Sequence, residues 1–270
     1  EHLIFKGGTS LSKCYQVIKR FSEDIDISIS REYLGFDGVH DPASQSSGKK
    51  TRNKIEELSE ACTELVVGPL REKLIQAFTI LGDQPWQLTI DRDDKDQQTL
   101  LFSYPSSLND NLPYIRKYVK IEMGARSDHY PAEERAVIPY IAQQLPDTIE
   151  ESSISLKVLK IDRTFWEKMT LMHAEFHRDP AKAQPQRLSR HLYDLWAITN
   201  SKYLDQAIKD EELLKAVADH KTVFFKSSWA RYDLAKPGTI RIHPPENRTR
   251  DLKNDYDAMQ AMFFEEPPPF

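Results

Sequence analysis

The sequence is poor in cysteine and in long apolar segments, and it shows no recognisable leader peptide. Only two cysteines occur in 270 residues, Cys14 and Cys62, and neither belongs to a CxxC motif or a Cys/His cluster. This pattern predicts two ordinary thiols in a reducing compartment. No run of about 18 apolar residues is present, so no membrane-spanning helix is expected. Without a leader or a span, the chain is predicted to be cytoplasmic.

The chain also lacks an excess of positive charge. Its net charge is −5 and its pI is near 6.0, so any binding of nucleic acid would depend on a local patch or on metal ions. The absence of a GxxxxGK[ST] motif argues against a P-loop ATPase. What is present is 39% hydrophobic and 29% charged residues, which is typical of a globular protein with a substantial core.

The apolar pattern divides the chain into two parts. A period of two predicts strands, and a spacing of three or four predicts helices. Before about residue 160, strands are predicted at 2–6, 22–30, 86–90, 100–104 and 118–123, and helices at 10–20 and 53–81. Polar loops are predicted at 35–52 and 105–117, and a hydrophilic hairpin turn at Asp91, Asp93, Asp94 and Asp96. Later helices are predicted at 162–178, 187–200, 204–232 and 249–263.

These elements predict an α/β (α+β) fold with two domains. Residues 1–160 would form a core that contains the sheet, and residues 161–270 would form a mostly helical domain. Because the first residues already read as a strand, the N-terminal domain is expected to be incomplete.

Asp24 and Asp26 lie on one face of the predicted strand 22–30. Ile25, Ile27 and Ile29 alternate with them and form the other face. Two carboxylates in this arrangement, with Cα atoms about 6.6 Å apart, can bind one divalent cation or share two. Such hard oxygen ligands favour Mg²⁺ or Mn²⁺. The alternative is an exposed edge strand with a solvated polar face.

Two glycines, Gly7 and Gly8, precede this strand at the start of a predicted helix. Glycine lets the backbone approach a ligand closely, and the free N–H groups at a helix N-terminus attract anions. Thr9 or Ser10 is expected to cap the helix and to offer a hydroxyl at the same place. The turn therefore predicts a phosphate site beside the carboxylate pair.

The stretches "KGGTSLSK" and "RFSEDIDISI" resemble the opening motif of the DNA polymerase β-like nucleotidyltransferase superfamily. With "RTFWEKMTLMHAEFHR" and "RHLYDLW", they are similar to the AbiEii abortive-infection toxin family within it, over about residues 5–200. The resemblance implies a nucleotidyltransferase-type mixed sheet with flanking helices and a helical half that closes the active-site cleft. It also implies a metal-dependent transfer, with Mg²⁺ or Mn²⁺, of a nucleotidyl group from an NTP to the 3′ end of tRNA. The implied setting is the toxin of a toxin–antitoxin or phage-defence pair, with a cognate antitoxin as partner.

The resemblance also assigns metal and phosphate ligands. It implies that Asp24 and Asp26 bind the metal. It also implies a third acid, for which Glu122 on the predicted strand 118–123 is the candidate, either as a metal ligand or as the base for the attacking hydroxyl. The alternative for Glu122 is a solvated strand face shared with Lys120. The residues expected to hold the nucleotide phosphates are Gly7, Gly8, Thr9, Ser10 and Lys168.

Two distal residues, Lys168 and Asp194, are further candidates for catalysis. The resemblance implies that Lys168 contacts the phosphates and that Asp194 faces the nucleotide across the cleft. The helical pattern alone places Lys168 at the border between core and water, where a lysine usually just extends its amine to solvent. The same pattern predicts that Asp194 pairs with Arg190 one turn earlier. Glu167 is expected to face solvent.

Other polar side chains have simpler interpretations. His173 and His191 are expected to be structural. A mixture of cations and aromatic rings near the C-terminus would either contact RNA or pack a helix against its neighbour; it comprises Lys226, Trp229, Arg231 and Tyr232.

Two other functions stay open at this stage. The same enzyme would act on a protein hydroxyl or a small molecule if its acceptor were not tRNA. A non-catalytic module that only binds an NTP is the second alternative, although the intact pair of Asp24 and Asp26 argues against it.

Overall fold

The structure of the chain, a computed structural model, describes residues 2–83, 85–105, 116–145, 148 and 153–270. Within these residues seven strands form one mixed sheet, in the order β3-β4-β5-β2-β1-β7-β6. The strands are β1 Leu3–Lys6, β2 Asp24–Ile29, β3 Gln87–Ile90, β4 Thr99–Ser103, β5 Tyr118–Gly124, β6 Ala132–Val137 and β7 Ile154–Leu159.

The middle of the sheet contains the strands that carry the candidate acids. β2 pairs antiparallel with β1 and parallel with β5, and β1 pairs parallel with β7. The registers place Asp26 opposite both Lys6 on β1 and Glu122 on β5, while Asp24 lies opposite Lys120. Side chains opposite each other on paired strands point to the same face, so the three carboxylates share one face of the sheet.

The helical segments lie mostly after residue 160, as predicted for this α/β fold. The α-helices of the described residues are α1 Gly7–Lys13, α2 Gly48–Leu65, α3 Arg71–Phe78, α4 Tyr140–Gln144, α5 Ile161–Phe176, α6 Ser189–Thr199, α7 Leu204–Lys209, α8 Glu211–Phe224 and α9 Glu246–Ala258. Short 3-10 turns add Gly38–His40, Pro42–Ser44, Thr79–Leu81, Tyr232–Leu234 and Met259–Met262.

The first helix differs from its prediction at 10–20. α1 begins at Gly7, has Lys6 as its N-cap residue, and ends at Lys13. Gln16 follows with a φ of 55°, in the left-handed region where a helix cannot continue. The prediction of a cap at Thr9 or Ser10 was therefore wrong, because both residues lie inside the helix.

The polar loop predicted at 35–52 ends earlier than expected. Ser47 Oγ accepts a hydrogen bond from the N–H of Lys50 at 3.3 Å and thereby caps α2. The long helix predicted at 53–81 is interrupted by a π-turn, because Gly68 is non-helical and Pro69 has no N–H to donate.

The helix predicted at 204–232 is also two helices. Asp210 separates them, and its carboxylate accepts from the N–H of Leu213 at 2.8 Å, which starts α8. α8 ends at Phe224, so Trp229 and its neighbours up to Arg231 lie on a loop, and Tyr232 begins a short 3-10 turn.

Two strands, β6 and β7, were not predicted. β7 alternates Ile154, Leu156 and Val158, but the first two side chains are 65% and 36% exposed and only Val158 is buried. β6 is an edge strand with the mixed sequence AEERAV. The apolar contrast that marks a half-buried strand is therefore weak in both.

The other predicted elements are confirmed, with shifts of a few residues at their ends. The acidic hairpin turn lies between β3 and β4, where the carboxylate of Asp94 accepts from Thr99 Oγ1 at 2.8 Å. Cys14 and Cys62 are both free thiols. Residues 106–115 of the predicted loop at 105–117 lie outside the described residues. None of the described helices is long and apolar enough to cross a membrane.

Among the described residues, two apolar clusters form the core. One packs α2 against the sheet and contains Leu58, Leu100 and also Phe224 from α8. The other packs α5 among α6, α8 and α9, and contains Phe165 together with Leu11 from α1. Each fully buried side chain of this kind stabilises the fold by about 1.5–3 kcal/mol. Leu11 packs with the later helices and Phe224 packs with the sheet, so each cluster contains residues from both predicted domains. The domain boundary near residue 160 therefore stays a prediction.

Candidate active site

A cavity of about 360 Å³ lies against the acidic face of the sheet. Its sheet side is lined by Lys6, Gly7, Gly8, Asp24, Asp26 and Glu122. Its helical side is lined by Glu167, Lys168, Arg190, His191, Lys221 and Trp229, among others. Six of the nine predicted site residues thus meet in one cavity, whereas Thr9, Ser10 and Asp194 lie behind its lining.

Asp24 and Asp26 occupy the positions that the alternation of β2 predicts. Asp24 is 9% exposed, and its Oδ2 lies 3.2 Å from Arg190 Nη1. Its Oδ1 is buried and has no hydrogen-bond partner among the described residues. A buried carboxylate oxygen without a donor is costly unless a cation or another donor approaches it.

The carboxyl group of Asp26 is hard to ionise in this setting. Burial raises its pKa to about 6, the charge of Lys6 counteracts this, and the neighbouring carboxylates of Glu122 and Asp24 raise the pKa further. Three acids on adjacent strand positions therefore repel one another, and a cation between them would relieve the repulsion.

The two glycines allow the turn after β1 to approach β2. Gly7 has a φ of +76°, and a Cβ atom at this position would lie 1.9 Å from Asp26 Oδ2. A Cβ on Gly8 would lie 2.8 Å from Ser22 Oγ and 3.0 Å from Arg20 Nη2. Glycine is therefore required at both positions for the turn to pack against the acidic strand, independently of any contact with a ligand.

Thr9 and Ser10 fasten the same turn rather than open onto the cavity. The hydroxyl of Thr9 donates to the backbone carbonyl of Asp24 and lies 3.0 Å from Ser22 Oγ. The hydroxyl of Ser10 donates to the carbonyl of Gly7 at 2.8 Å. Both side chains are buried, so their hydroxyls tie α1 to β2.

Asp194 is fully buried and holds two cations. Arg20 Nε and Nη2 each donate to one of its oxygens at 2.8 Å, and Lys168 Nζ lies 2.9 Å from its Oδ2. Burial alone would raise the pKa of Asp194, but the charges of Arg20 and Lys168 outweigh burial and hold this pKa well below its usual range. The amine of Lys168 is thereby fixed at the cavity wall.

One alternative, the Asp194–Arg190 pair, and one expectation, a solvent-facing Glu167, were wrong for this helical wall. Asp194 does not pair with Arg190, because α6 turns Asp194 toward Arg20 while Arg190 reaches Asp24 instead. Glu167 does not simply face solvent, because it lines the cavity and accepts from Arg163 Nε at 3.2 Å.

The two histidines differ from each other. His173 is fully buried; its Nδ1 accepts from the N–H of Arg241 at 2.9 Å, and its Nε2 donates to the carbonyl of Arg231 at 2.9 Å, which confirms its structural role. His191 lines the cavity, with its Nδ1 3.3 Å from Lys168 Nζ. Burial and the charge of Lys168 lower the pKa of His191, so its neutral ring accepts from Lys168.

Part of the aromatic and basic cluster near the C-terminus also borders the cavity. Trp229 and Tyr232 line it, and the Arg178 guanidinium lies 4.4 Å from the centre of the Trp229 ring. Arg231 pairs with Asp233 at 3.0 Å.

The acidic face suits a divalent metal ion, although the described residues contain no group of three or more His, Cys, Asp or Glu side chains placed to hold one. Asp24 and Asp26 fit such an ion, because both are hard oxygen donors and Asp24 Oδ1 lacks a partner. Glu122 fits it less directly, since its Oε1 lies 2.6 Å from Lys120 Nζ.

Sequence reasoning missed several cavity residues. Arg20 lies inside the motif "RFSEDIDISI", and Lys6 directly precedes the glycines. Their places in these motifs could have identified both as site residues. No sequence motif identified Lys221, because its helix has the pattern of an ordinary amphipathic helix and only the fold brings it to the cavity.

Paired carboxylates beside a Gly-Gly turn, facing a fixed lysine across a cavity, are an arrangement suited to phosphoryl chemistry. The profile of the family "Nucleotidyl transferase AbiEii toxin, Type IV TA system" matches residues 1–270, and the chain belongs to this family of nucleotidyltransferase toxins. Among solved structures it is similar to MenT4, a nucleotidyltransferase toxin from Mycobacterium tuberculosis H37Rv. The identity is 16%, the match covers 97% of this chain and 85% of that one, and the TM-score is 0.36. The comparison with curated proteins gave no match.

Proposed function

We propose that this nucleotidyltransferase transfers a nucleotidyl group from an NTP to the 3′ end of tRNA, and that it acts as a toxin in this way. The observation that carries the proposal is the single cavity in which Asp24 and Asp26 face Lys168, with Gly7 and Gly8 at the same edge. An acidic face suits the cation that accompanies a triphosphate, and a fixed lysine suits the phosphates themselves.

In this proposal Asp24 and Asp26 would hold Mg²⁺ or Mn²⁺, and Glu122, which contacts Lys120 in the structure, would be the third ligand. The bound cation would supply charge neutralisation at the phosphates and a lower pKa for the attacking hydroxyl. The unpartnered Oδ1 of Asp24 and the raised pKa of Asp26, which burial causes, support this assignment.

The helical wall binds the leaving group. Lys168, oriented by Asp194 and Arg20, faces the β- and γ-phosphates, and the Gly7-Gly8 turn lies beside them. The acceptor hydroxyl gives up its proton to water as its oxygen forms a bond to the α-phosphorus. The bond from that phosphorus to the bridging oxygen breaks, and pyrophosphate leaves with the negative charge next to Lys168.

Aromatic rings at the cavity support the choice of an RNA acceptor. Trp229 and Tyr232 border the cavity, and aromatic rings beside cations are suited to stacking the bases of a single-stranded RNA end. A cognate antitoxin, and a cytoplasmic location where NTPs and tRNA are available, belong to the same proposal.

The experiment is a transfer assay with each of the four α-labelled NTPs, Mg²⁺ and total tRNA. We expect labelled tRNA and released pyrophosphate with the wild type, and a loss of at least about 100-fold with Asp26→Asn. Asp93→Asn, on the exposed hairpin between β3 and β4, is the matched control and should keep full activity.

Each alternative has its own outcome in this assay. Label that appears in added protein or in an aminoglycoside, but not in tRNA, would show that the acceptor is a protein or a small molecule instead of tRNA. NTP binding without any release of pyrophosphate would indicate a non-catalytic module. Equal labelling of tRNA by the wild type and Asp26→Asn would contradict the proposed site.

A further inference from the structure

Lys221 on α8 presents a second lysine to the cavity, on the same side as Lys168. Its Nζ donates to the backbone carbonyl of Glu167 at 2.8 Å, directly next to Lys168 in the chain. The carboxylate of Glu167 is itself bound to Arg163. Among the described residues no carboxylate forms an ion pair with Lys221, whereas Lys168 is balanced by Asp194.

Lys221 is therefore a cation with no ion-pair partner among the described residues, and its Nζ lies 6.0 Å from the centre of the Tyr232 ring. Burial lowers its pKa to about 8; Glu167 counteracts this, and the charges of Arg163, Lys6 and Lys168 lower the pKa further. A protein usually balances such a group with an acid or leaves it in open solvent. Here no acid of the described residues forms an ion pair with Lys221, so an anion that enters the cavity would be favoured.

The cavity also groups this amine with two others. Lys6, Lys168 and Lys221 all line it, although they come from β1, α5 and α8. Three convergent ammonium groups suit a compact ligand with several negative charges, such as a polyphosphate. The backbone of a nucleic acid spreads its charges along a strand and would meet the rim of a cavity of about 360 Å³ rather than an amine packed inside it.

We propose that Lys221 binds the triphosphate of the NTP, in the cavity that the Gly7-Gly8 turn also lines, and makes the site selective for nucleoside triphosphates over monophosphates. This inference rests on the proposed function. It adds a phosphate ligand from α8, so that the amines of Lys6, Lys168 and Lys221 approach the phosphates from three elements of the fold.

The test is the binding of inorganic tripolyphosphate, the four NTPs and the matching NMPs, measured by calorimetry with Mg²⁺ present. Lys221→Met keeps most of the side-chain volume and removes the charge. We expect it to weaken binding of tripolyphosphate and NTP about tenfold and to leave NMP binding within about twofold. Lys221→Arg should restore most of the loss, and circular dichroism reports whether each variant is folded.

Lys215→Met is the matched control, because Lys215 lies on the same helix with a side chain that is 78% exposed. Equal losses for NTP and NMP would overturn the inference in favour of a general packing role. Unchanged NTP binding with a raised KM for tRNA would overturn it in favour of an acceptor contact. A wild type that binds no NTP would overturn the proposed function together with this inference, whereas equal binding by the wild type and Lys221→Met would overturn this inference alone.

Discussion

Asp194 on α6 and Lys168 on α5 form a buried ion pair behind the cavity wall, with 2.9 Å between Oδ2 and Nζ. The same carboxylate accepts two hydrogen bonds from Arg20. One acid therefore balances two cations and is itself shielded from the cavity. We expect Asp194 to act by positioning Lys168, while the amine of Lys168 meets the ligand.

Asp194→Asn should destabilise the fold strongly. The substitution removes the carboxylate charge that Lys168 and Arg20 share, and breaking a buried ion pair in this way costs about 3–5 kcal/mol. Urea unfolding measures this loss. Asp205→Asn is the control, because its pair with Lys209 is solvent-exposed and should be worth no more than about 0.5 kcal/mol. A loss for Asp194→Asn as small as that of the control would show that the buried network adds little.

Gly7→Ala should abolish transfer, because its Cβ would lie 1.9 Å from Asp26 Oδ2 and would displace that carboxylate. The positive φ adds backbone strain of about 1–2 kcal/mol. Gly35→Ala separates the two effects, since Gly35 also has a positive φ of +82° but nothing lies within 4 Å of its Cβ position. Transfer activity and thermal unfolding of both variants would be compared. Retained activity in Gly7→Ala would mean that the turn can move away from Asp26.

The acidic face of the site could be predicted because it follows from local sequence. Strand alternation alone places Asp24 and Asp26 together, and the same alternation puts Glu122 on the polar face of β5. Lys168 could be predicted only from the motif around it. In each case the information lies within a few residues along the chain.

The electrostatic partners could not be predicted, because they come from distant segments. The periodicity of α6 places Asp194 away from the apolar stripe, yet the residue is buried because Arg20 and Lys168 meet it there. Lys221 reaches the cavity only because α8 packs on α5. Pairing of this kind depends on tertiary contacts that no local pattern encodes.

Removal of divalent cations should stop transfer, and the three acids should differ in how much each contributes to the affinity for the cation. We expect Asp24→Asn and Asp26→Asn to weaken Mn²⁺ binding at least about tenfold, as measured by electron paramagnetic resonance without nucleotide. Glu122→Gln should have a smaller effect, because Lys120 already holds this carboxylate at 2.6 Å. Asp93→Asn serves again as control. An effect of Glu122→Gln equal to that of Asp26→Asn would make Glu122 a full ligand.

Acidification should destabilise the fold through His173. Burial lowers the pKa of His173 below its ordinary value of 6.5, and the ring is neutral because Nδ1 accepts from the Arg241 N–H. The unfolded chain therefore takes up a proton first, so the contribution of His173 to stability is present above about pH 6.5 and is lost as the pH falls toward its folded pKa. Urea unfolding at several pH values should give a flatter profile for His173→Gln than for the wild type. His243→Gln, at an exposed position, should keep the wild-type slope, and an unchanged slope in His173→Gln would assign the acid sensitivity to other groups.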